Sequence, residues 1–425
     1  MFETIKNAWK VADLRKKILY TIFVILIFRI GSAIVVPFID AEALKVMFAN
    51  VTSGGTIFSY LDMMSGGGLS QATIFSLSIT PYINASIIIQ LLTIGIPALE
   101  RIAKQPDGQK KLATITRYTT VGISLLMAFA YYMGLSKAEA LTDTGIFPAI
   151  IIMLSFTAGS TFLMWLGEQV NEKGIGNGIS IILFAGIVSR GPALIGTLIS
   201  TAGTNGSTWW IPALLVLGML AMVVFIVIMT GGERRIPVQY AKRVVGRKMY
   251  GGQASHIPIK VNMTGVLPII FAQSLISLPA TIALAFPNPK AGTFWAGFLD
   301  LFSYRSWFYA VLYFLLIIFF NYFYTTFQFN PVEIGNNIKK NGGFIPGIRP
   351  GKPTSDFITK VLSKITMLGA LFLAVIALAP ILIGYTGLSV QIGGTSLLIL
   401  VGVAIETYKQ IESQLLMRHY KGFLD

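Results

Sequence analysis

The sequence predicts an all-α polytopic membrane protein with ten transmembrane helices. Three observations carry this expectation. The 425-residue chain is 54% hydrophobic and only 12% charged, with a mean hydropathy of +0.71; a soluble domain carries roughly twice that charged fraction. The apolar residues gather into ten stretches, each near the length of about 20 residues that a bilayer requires. Of the 33 Lys and Arg residues, 27 fall in one alternating set of connecting segments and five in the other.

The elements follow in order. Over residues 1–17, Phe2, Ile5, Trp9 and Ala12 recur at helical spacing with Lys6, Lys10 and Lys17 on another face, which predicts an amphipathic helix lying in the membrane interface. This polar stretch runs straight into a full-length apolar span, so no cleavable signal peptide is expected and the first span acts as an uncleaved anchor. The spans are Ile18–Val36, Ala72–Ile96, Tyr118–Gly134, Phe147–Leu166, Ile179–Ile199, Trp210–Met229, Gly265–Ala285, Trp307–Phe327, Ile365–Gly384 and Thr395–Ile411. Each must be helical, because open strand edges cannot be satisfied in hydrocarbon. Pro81 and Pro268 are expected to permit bends in the second and seventh. The asymmetry of basic residues puts both termini and the basic loops in the cytosol.

Three connections are long. Loop 230–264 carries Gly231-Gly232 and Gly251-Gly252 around a basic, β-prone stretch, which predicts a hairpin arm. Loop 330–364 carries Pro346-Gly347-Ile348-Arg349-Pro350-Gly351, a rigid tip displaying one arginine. Connections of this length usually carry function. The outward segment 37–71 holds an apolar piece, residues 57–64, between Gly54-Gly55 and Gly66-Gly67-Gly68. It is too short to span, which predicts a re-entrant helix hinged at both ends.

Composition excludes much chemistry. The chain has no cysteine, and its only histidines are His256 and His419; disulfides and thiolate sites are excluded, and most zinc and triad chemistry with them. Gly174-Ile175-Gly176-Asn177-Gly178 has the wrong spacing for a dinucleotide loop and follows a membrane span; a tight turn is expected there. No P-loop sequence occurs, so energy must come from a partner, and neither enzymatic activity nor any cofactor or metal is expected. Arg29 lies inside the first span, Glu168 and Glu406 lie near span ends, and no acid stands alone at a midplane. That pattern argues against ion-coupled transport. Asn84 and Gln273 instead put uncharged polar groups inside spans, where they bond across an interface and release without baring a charge.

Several strings now match one family in order and with its spacing. They are Phe28-Arg29-Ile30-Gly31-Ser32, Met64-Ser65-Gly66-Gly67, Pro81 through Leu92, Met164 through Gln169, Gly174 through Ile182, Lys260-Val261-Asn262-Met263, Pro346 through Gly351, and Gly393 through Ile399. In these the chain resembles the SecY/SEC61-alpha family of protein-conducting channels over essentially its whole length. The resemblance implies two pseudo-symmetric halves of five spans, residues 18–200 and 201–411, around an hourglass pore, with a cytosolic tail at 412–425. It implies a pore ring of Ile79, Ile83, Ile179, Leu183, Ile270 and Ile399, with leucine at 183 where isoleucine is common in the family. It implies a plug helix over 56–67, carrying Ile57, Phe58, Tyr60, Leu61, Met63 and Met64. It implies a lateral gate with Thr80, Asn84, Gln273 and Ser274, and a docking surface of Arg243, Arg247, Lys248, Arg349 and Lys352. The implied partners are SecE, SecG, the SecA motor, the ribosome, unfolded preproteins with their signal peptides, lipids, and also SecDF and YidC. The implied setting is the bacterial inner membrane. The alternative from another class is a multi-span secondary transporter of a small solute, disfavoured by the missing midplane carboxylate and by the two basic loops.

Overall fold

The computed structural model describes residues 2–40, 42–44, 62, 65–137, 139–193, 195–196, 210–240, 243–245, 248–250, 254–285, 294–302, 306–384 and 394–421. The polar N-terminus forms α1 (Phe2–Lys10), and Val11 breaks it from α2 (Ala12–Gly31). The expected single helix over 1–17 is therefore divided, because Val11 adopts an extended conformation and starts the next helix. Ala8 and Leu14 pack on Ile175, while Trp9, Lys6 and Lys10 stay exposed, the arrangement of a helix lying in an interface.

The second predicted span is helical only over α3 (Thr80–Gly95). Residues 72–79 are turns instead. Their backbone is occupied elsewhere: Ile74 N–H donates to Ile34 C=O at 3.0 Å and Val36 N–H to Ala72 C=O at 3.0 Å. Pro81 sits in the first turn of α3 and so starts the helix rather than bending it. Pro268 likewise lies at the start of its helix, and the interior prolines are Pro279 and Pro380. Extended Ile96, preceding Pro97, ends α3, and α4 (Pro97–Ala103) leaves it at 104°.

The chain continues through α5 (Gly108–Lys137), α6 (Ile146–Lys173), α7 (Gly178–Ser189) and α8 (Trp210–Gly231). Beyond the first basic loop come α9 (Leu267–Ala285), α10 (Phe294–Leu301) and α11 (Trp307–Gln328). Then follow α12 (Pro331–Lys340), α13 (Lys352–Gly384) and α14 (Gly394–Lys421). Among the described residues, five helices are long and apolar enough to cross a membrane, and a sixth if α3 and α4 count as one bent span. α7 and the first part of α9 are shorter apolar helices.

Two groups of helices result. In the first, α3 packs on α5, α5 on α6, α6 on α7, and α2 on both α6 and α7. In the second, α9 packs on α11, α11 on α13, α13 on α14, and α8 on α14. The groups meet on two sides, α9 against α3 and α5, and α14 against α7. α8 turns Leu214, Leu217, Leu220 and Ile228 outward, as a lipid-facing helix does.

The two basic loops build one module. β1 (Glu233–Tyr240) pairs antiparallel with β4 (Ala254–Lys260), and β5 (Gly343–Phe344) of the other loop adds to the free edge of β1. β2 (Arg243–Val245) and β3 (Lys248–Tyr250) form a further hairpin between β1 and β4. On β1, Ile236 and Val238 point inward by the two-residue alternation of a strand. They join Ile259, Ile338, Ile345, Ile358 and Leu362 in a core of their own. Ile358 and Leu362 lie on α13, which begins well before its predicted span, so one continuous helix serves both the module and the helical body.

Candidate functional site

The six aliphatic residues singled out in sequence belong to the large apolar core that runs through both helix groups. Ile79, Ile83, Leu183, Ile270 and Ile399 are buried in one cluster, and Ile179 packs partly buried against it. They arrive from four directions: the start of α3, the start of α7, α9 and α14. Both helix groups contribute.

Local chemistry fixes two of these approaches. Ile79 is the N-cap of α3 and follows Ser78, whose φ is +52°. A non-glycine residue in the left-handed region is strained and persists where the surroundings over-determine it; here Ser78 N–H donates to Phe75 C=O at 2.8 Å. Ile179 and Leu183 are set by the Gly174–Gly178 turn, which the sequence reading expected. Asn177 caps α7, its Oδ1 accepting from Ile179 N–H at 3.1 Å and Ser180 N–H at 3.4 Å. Gly178 N–H donates to Asn171 Oδ1 at 2.8 Å. A Cβ at Gly178 would lie 1.9 Å from the Gly167 carbonyl oxygen, so α6 and α7 touch backbone to backbone. Gly176, at φ +88°, donates its N–H to Gln410 Oε1 on α14 at 2.5 Å, which ties this turn to the second helix group.

The seam between α3 and α9 is lined differently. Thr80 and Asn84 on α3 and Gln273 and Ser274 on α9 are all buried. Gln273 Nε2 donates to Tyr309 OH at 3.3 Å, a bond within the second helix group. A bond that the sequence reading missed does cross between the groups: Tyr324 OH on α11 donates to Gln90 Oε1 on α3. No local pattern announces a pair 234 positions apart. Asn321, one turn before Tyr324, was missed for the same reason. It accepts from Thr264 Oγ1 at 2.6 Å and donates to the Thr366 carbonyl at 2.9 Å, joining α11 to the start of α9 and to α13.

Residues Ile57, Phe58, Tyr60, Leu61, Met63 and Met64 lie outside the described residues. Asp62 is described and buried. Its carboxylate pairs with the Arg190 guanidinium just beyond α7 and accepts from Ser70 N–H at 2.6 Å. Gly67 N–H donates to the Asp62 carbonyl at 2.8 Å. The Gly66-Gly67-Gly68 segment, expected as a hinge, is thus held at one point by an ion pair and a closed turn.

On the loop module, Arg349 and Lys352 are exposed at the tip. Gly347 and Gly351 take φ of +82° and +106°, and Thr354 Oγ1 donates to the Arg349 carbonyl at 2.9 Å, which rigidifies it. Arg243 and Lys248 belong to the β2–β3 hairpin, and Arg247 lies outside the described residues. Near the root of the module, the Arg235 guanidinium donates to Glu233 Oε1 at 2.6 Å and holds that carboxyl below the usual range.

The family model SecY matches residues 73–408. The protein translocase subunit SecY of Halalkalibacterium halodurans is 43% identical over 436 aligned positions, covering 100% of both chains. That of Bacillus subtilis is 44% identical over 437, again covering 100% of both. Among solved structures, a protein-conducting channel superposes with TM-score 0.62 at 19% identity, covering 94% of this chain and 92% of the other. The Sec61 channel of a canine ribosome–channel complex gives TM-score 0.60 at 18% identity, with the same coverage.

Proposed function

The chain belongs to the SecY family of protein translocase subunits, and on that premise we propose that it is the central pore through which unfolded secretory polypeptides cross the membrane. One observation supports the mechanism: the six aliphatic side chains, drawn from both helix groups, lie in or against one continuous buried core. A ring of this kind dewets when empty and so blocks water and ions, yet it is soft enough to collar a passing chain. Its residues bear no charge, so a peptide of any sequence slides past without being bound.

In this reading ten spans form two halves of five, with both termini and the basic loops in the cytosol of a bacterial inner membrane. The packing of α9 on α3 and α5, and of α14 on α7, supports halves that part at the first seam and hinge at the second. The first seam is the lateral gate, through which apolar segments pass into lipid, with Thr80, Asn84, Gln273 and Ser274 along it. Residues 56–67 are the plug. Asp62 and Arg190 support this by tethering that segment to the far end of α7, the helix that begins with ring residues.

The module built by the two loops receives the driving partner, SecA with ATP or a translating ribosome, through Arg243, Arg247, Lys248, Arg349 and Lys352. Its separate core supports a docking platform that holds its shape while the spans move. SecE and SecG complete the complex, and SecDF and YidC act alongside it. The named relatives are translocase subunits and protein-conducting channels, which sets the solute-transporter alternative aside.

Reconstitution with SecE, SecG, SecA, ATP and a labelled preprotein tests the proposal. ATP-dependent protection of the preprotein from protease is expected, and its absence with intact partners would refute the channel.

A further inference from the structure

Asn321 is an amide buried within the apolar helix α11, and both ends of its side chain are used, each on a different element. Oδ1 accepts from Thr264 Oγ1 at 2.6 Å, and Nδ2 donates to the Thr366 carbonyl of α13 at 2.9 Å. Thr264 and Thr366 are buried with it. One residue on, Tyr322 OH donates to the Ser363 carbonyl at 3.2 Å, a second bond between α11 and α13. Beside this joint α13 meets the root of the loop module main chain to main chain. A Cβ at Gly369 would lie 2.4 Å from the Val261 carbonyl oxygen and 3.7 Å from Asn321 Nδ2. Val261 N–H in turn donates to the Gly232 carbonyl at 2.9 Å, at the foot of β1. The chain is held differently just beyond Thr264. Gly265 takes φ of +64°, and a Cβ there would meet nothing within 4 Å. α9 begins two residues later and rests on α11 mostly through apolar ring contacts, Phe271 on Phe320 and Tyr324, with one bond between Gln273 and Tyr309 at 3.3 Å.

We infer that Asn321 is a positioning residue: it fastens the loop module, α11 and α13 into one body, and α9 turns against that body on Gly265 when a polypeptide enters. The reason is the difference between two neighbouring points on the chain. Parting the joint strips buried donors and acceptors of their partners, which is costly, and it separates main chains that already touch. Turning Gly265 breaks none of those bonds, and a glycine in open space has the backbone freedom to turn. The ring contacts of α9 on α11 are apolar and non-directional, so they give way before the joint does. A push on the exposed face of the module therefore passes into α13, which shares the module's core through Ile358 and Leu362. It reaches α11 through Asn321 and is released as movement only at α9. Because α9 carries Ile270, that turn draws one proposed ring residue away from Ile79 and Ile83 on α3. The module keeps its shape and its hold on α11 and α13 throughout.

The inference rests on the channel reading, and the test separates the two. The chain has no cysteine, so spin-label pairs are introduced at exposed positions: Phe327→Cys on α11 with Arg234→Cys on β1, and Phe327→Cys with Leu275→Cys on α9. Distances are read by pulsed electron resonance in vesicles that also hold SecE and SecG. They are compared between the idle channel and one into which SecA and ATP have driven a preprotein that jams on a cross-linked domain. The α11–β1 distance should stay as it was, and the α11–α9 distance should shift. Thr264→Val removes the bond to Asn321 at nearly constant volume. It should broaden the α11–β1 distances in the jammed channel and slow preprotein transport several-fold, with SecA binding unchanged. Thr264→Ser keeps the hydroxyl and should restore both. A fixed α11–α9 distance, an α11–β1 distance that shifts as much, or a Thr264→Val channel that matches the parent overturns the joint, while protease protection of the jammed preprotein keeps the channel. No protection in the parent would refute the channel itself, and the joint's role with it.

Discussion

Gly178→Ala probes the contact that positions Ile179 and Leu183, two of the six residues proposed for the pore ring. The added Cβ would stand 1.9 Å from the Gly167 carbonyl oxygen and 2.7 Å from its carbon. Ordinary contact begins at 3.4 Å, so α7 and α6 must part by the difference, about 1.5 Å. Both atoms it meets are main chain, and no side-chain rotation relieves the clash. The start of α7 is meanwhile held by the Asn177 cap and by Asn171. The displacement therefore passes into α7 and moves Ile179 and Leu183 relative to Ile79 and Ile270. Forcing a methyl into packed structure costs about 1–3 kcal/mol. Two readouts are expected: a lower thermal midpoint in detergent, and ion leak through the empty channel in proteoliposomes several-fold above the parent. Gly122→Ala is the control, since a Cβ there meets nothing within 4 Å; it should be neutral, or stabilising by up to about 1 kcal/mol through helix propensity. If Gly178→Ala melts and seals like the parent, the backbone contact does not set the ring.

Other outcomes follow from the same picture. Ile270→Asn puts a wettable amide in the ring and should raise ion conductance with little change in folding, measured on planar bilayers. Deleting Ile57–Met64 should raise leak through loss of the plug, and Asp62→Asn should do so more weakly through loss of the Arg190 pair; an equally tight channel in both would count against the tether. Arg349→Glu should abolish SecA-driven transport in reconstituted vesicles while expression and detergent stability stay at parental levels. Asn321→Leu takes from Thr264 Oγ1 the acceptor it now has and removes the second bond on the Thr366 carbonyl. It should destabilise by about 1–3 kcal/mol, read as a lower midpoint by tryptophan fluorescence.

Much of the protein was legible in the residues alone, because a bilayer permits few solutions. A low charged fraction, apolar runs of bilayer length and a lopsided distribution of Lys and Arg each have a single physical meaning in lipid. The glycine-bracketed turn at 174–178 and the Pro-Gly tip at 346–351 were equally plain, since only certain residues tolerate those backbones. The six aliphatics were not distinguishable by composition from the other Ile and Leu residues, and only ordered family motifs singled them out.

The tertiary structure decided what depends on distant partners. Residues 72–79 are apolar enough to read as helix, yet their backbone bonds go to residues 34–36 and into local turns, so the second helix starts at Thr80. Loops 230–264 and 330–364 look independent in sequence, but β5 completes the sheet begun by β1, and a shared core joins both to α13. Asp62 and Arg190, or Gln90 and Tyr324, are ordinary residues until folding brings them together. The sequence by itself determined that this is a membrane protein with several apolar helices, because hydropathy and backbone chemistry act locally. Which polar groups meet was decided only by packing, because a hydrogen bond between helices belongs to their separation in space and leaves no period in the chain.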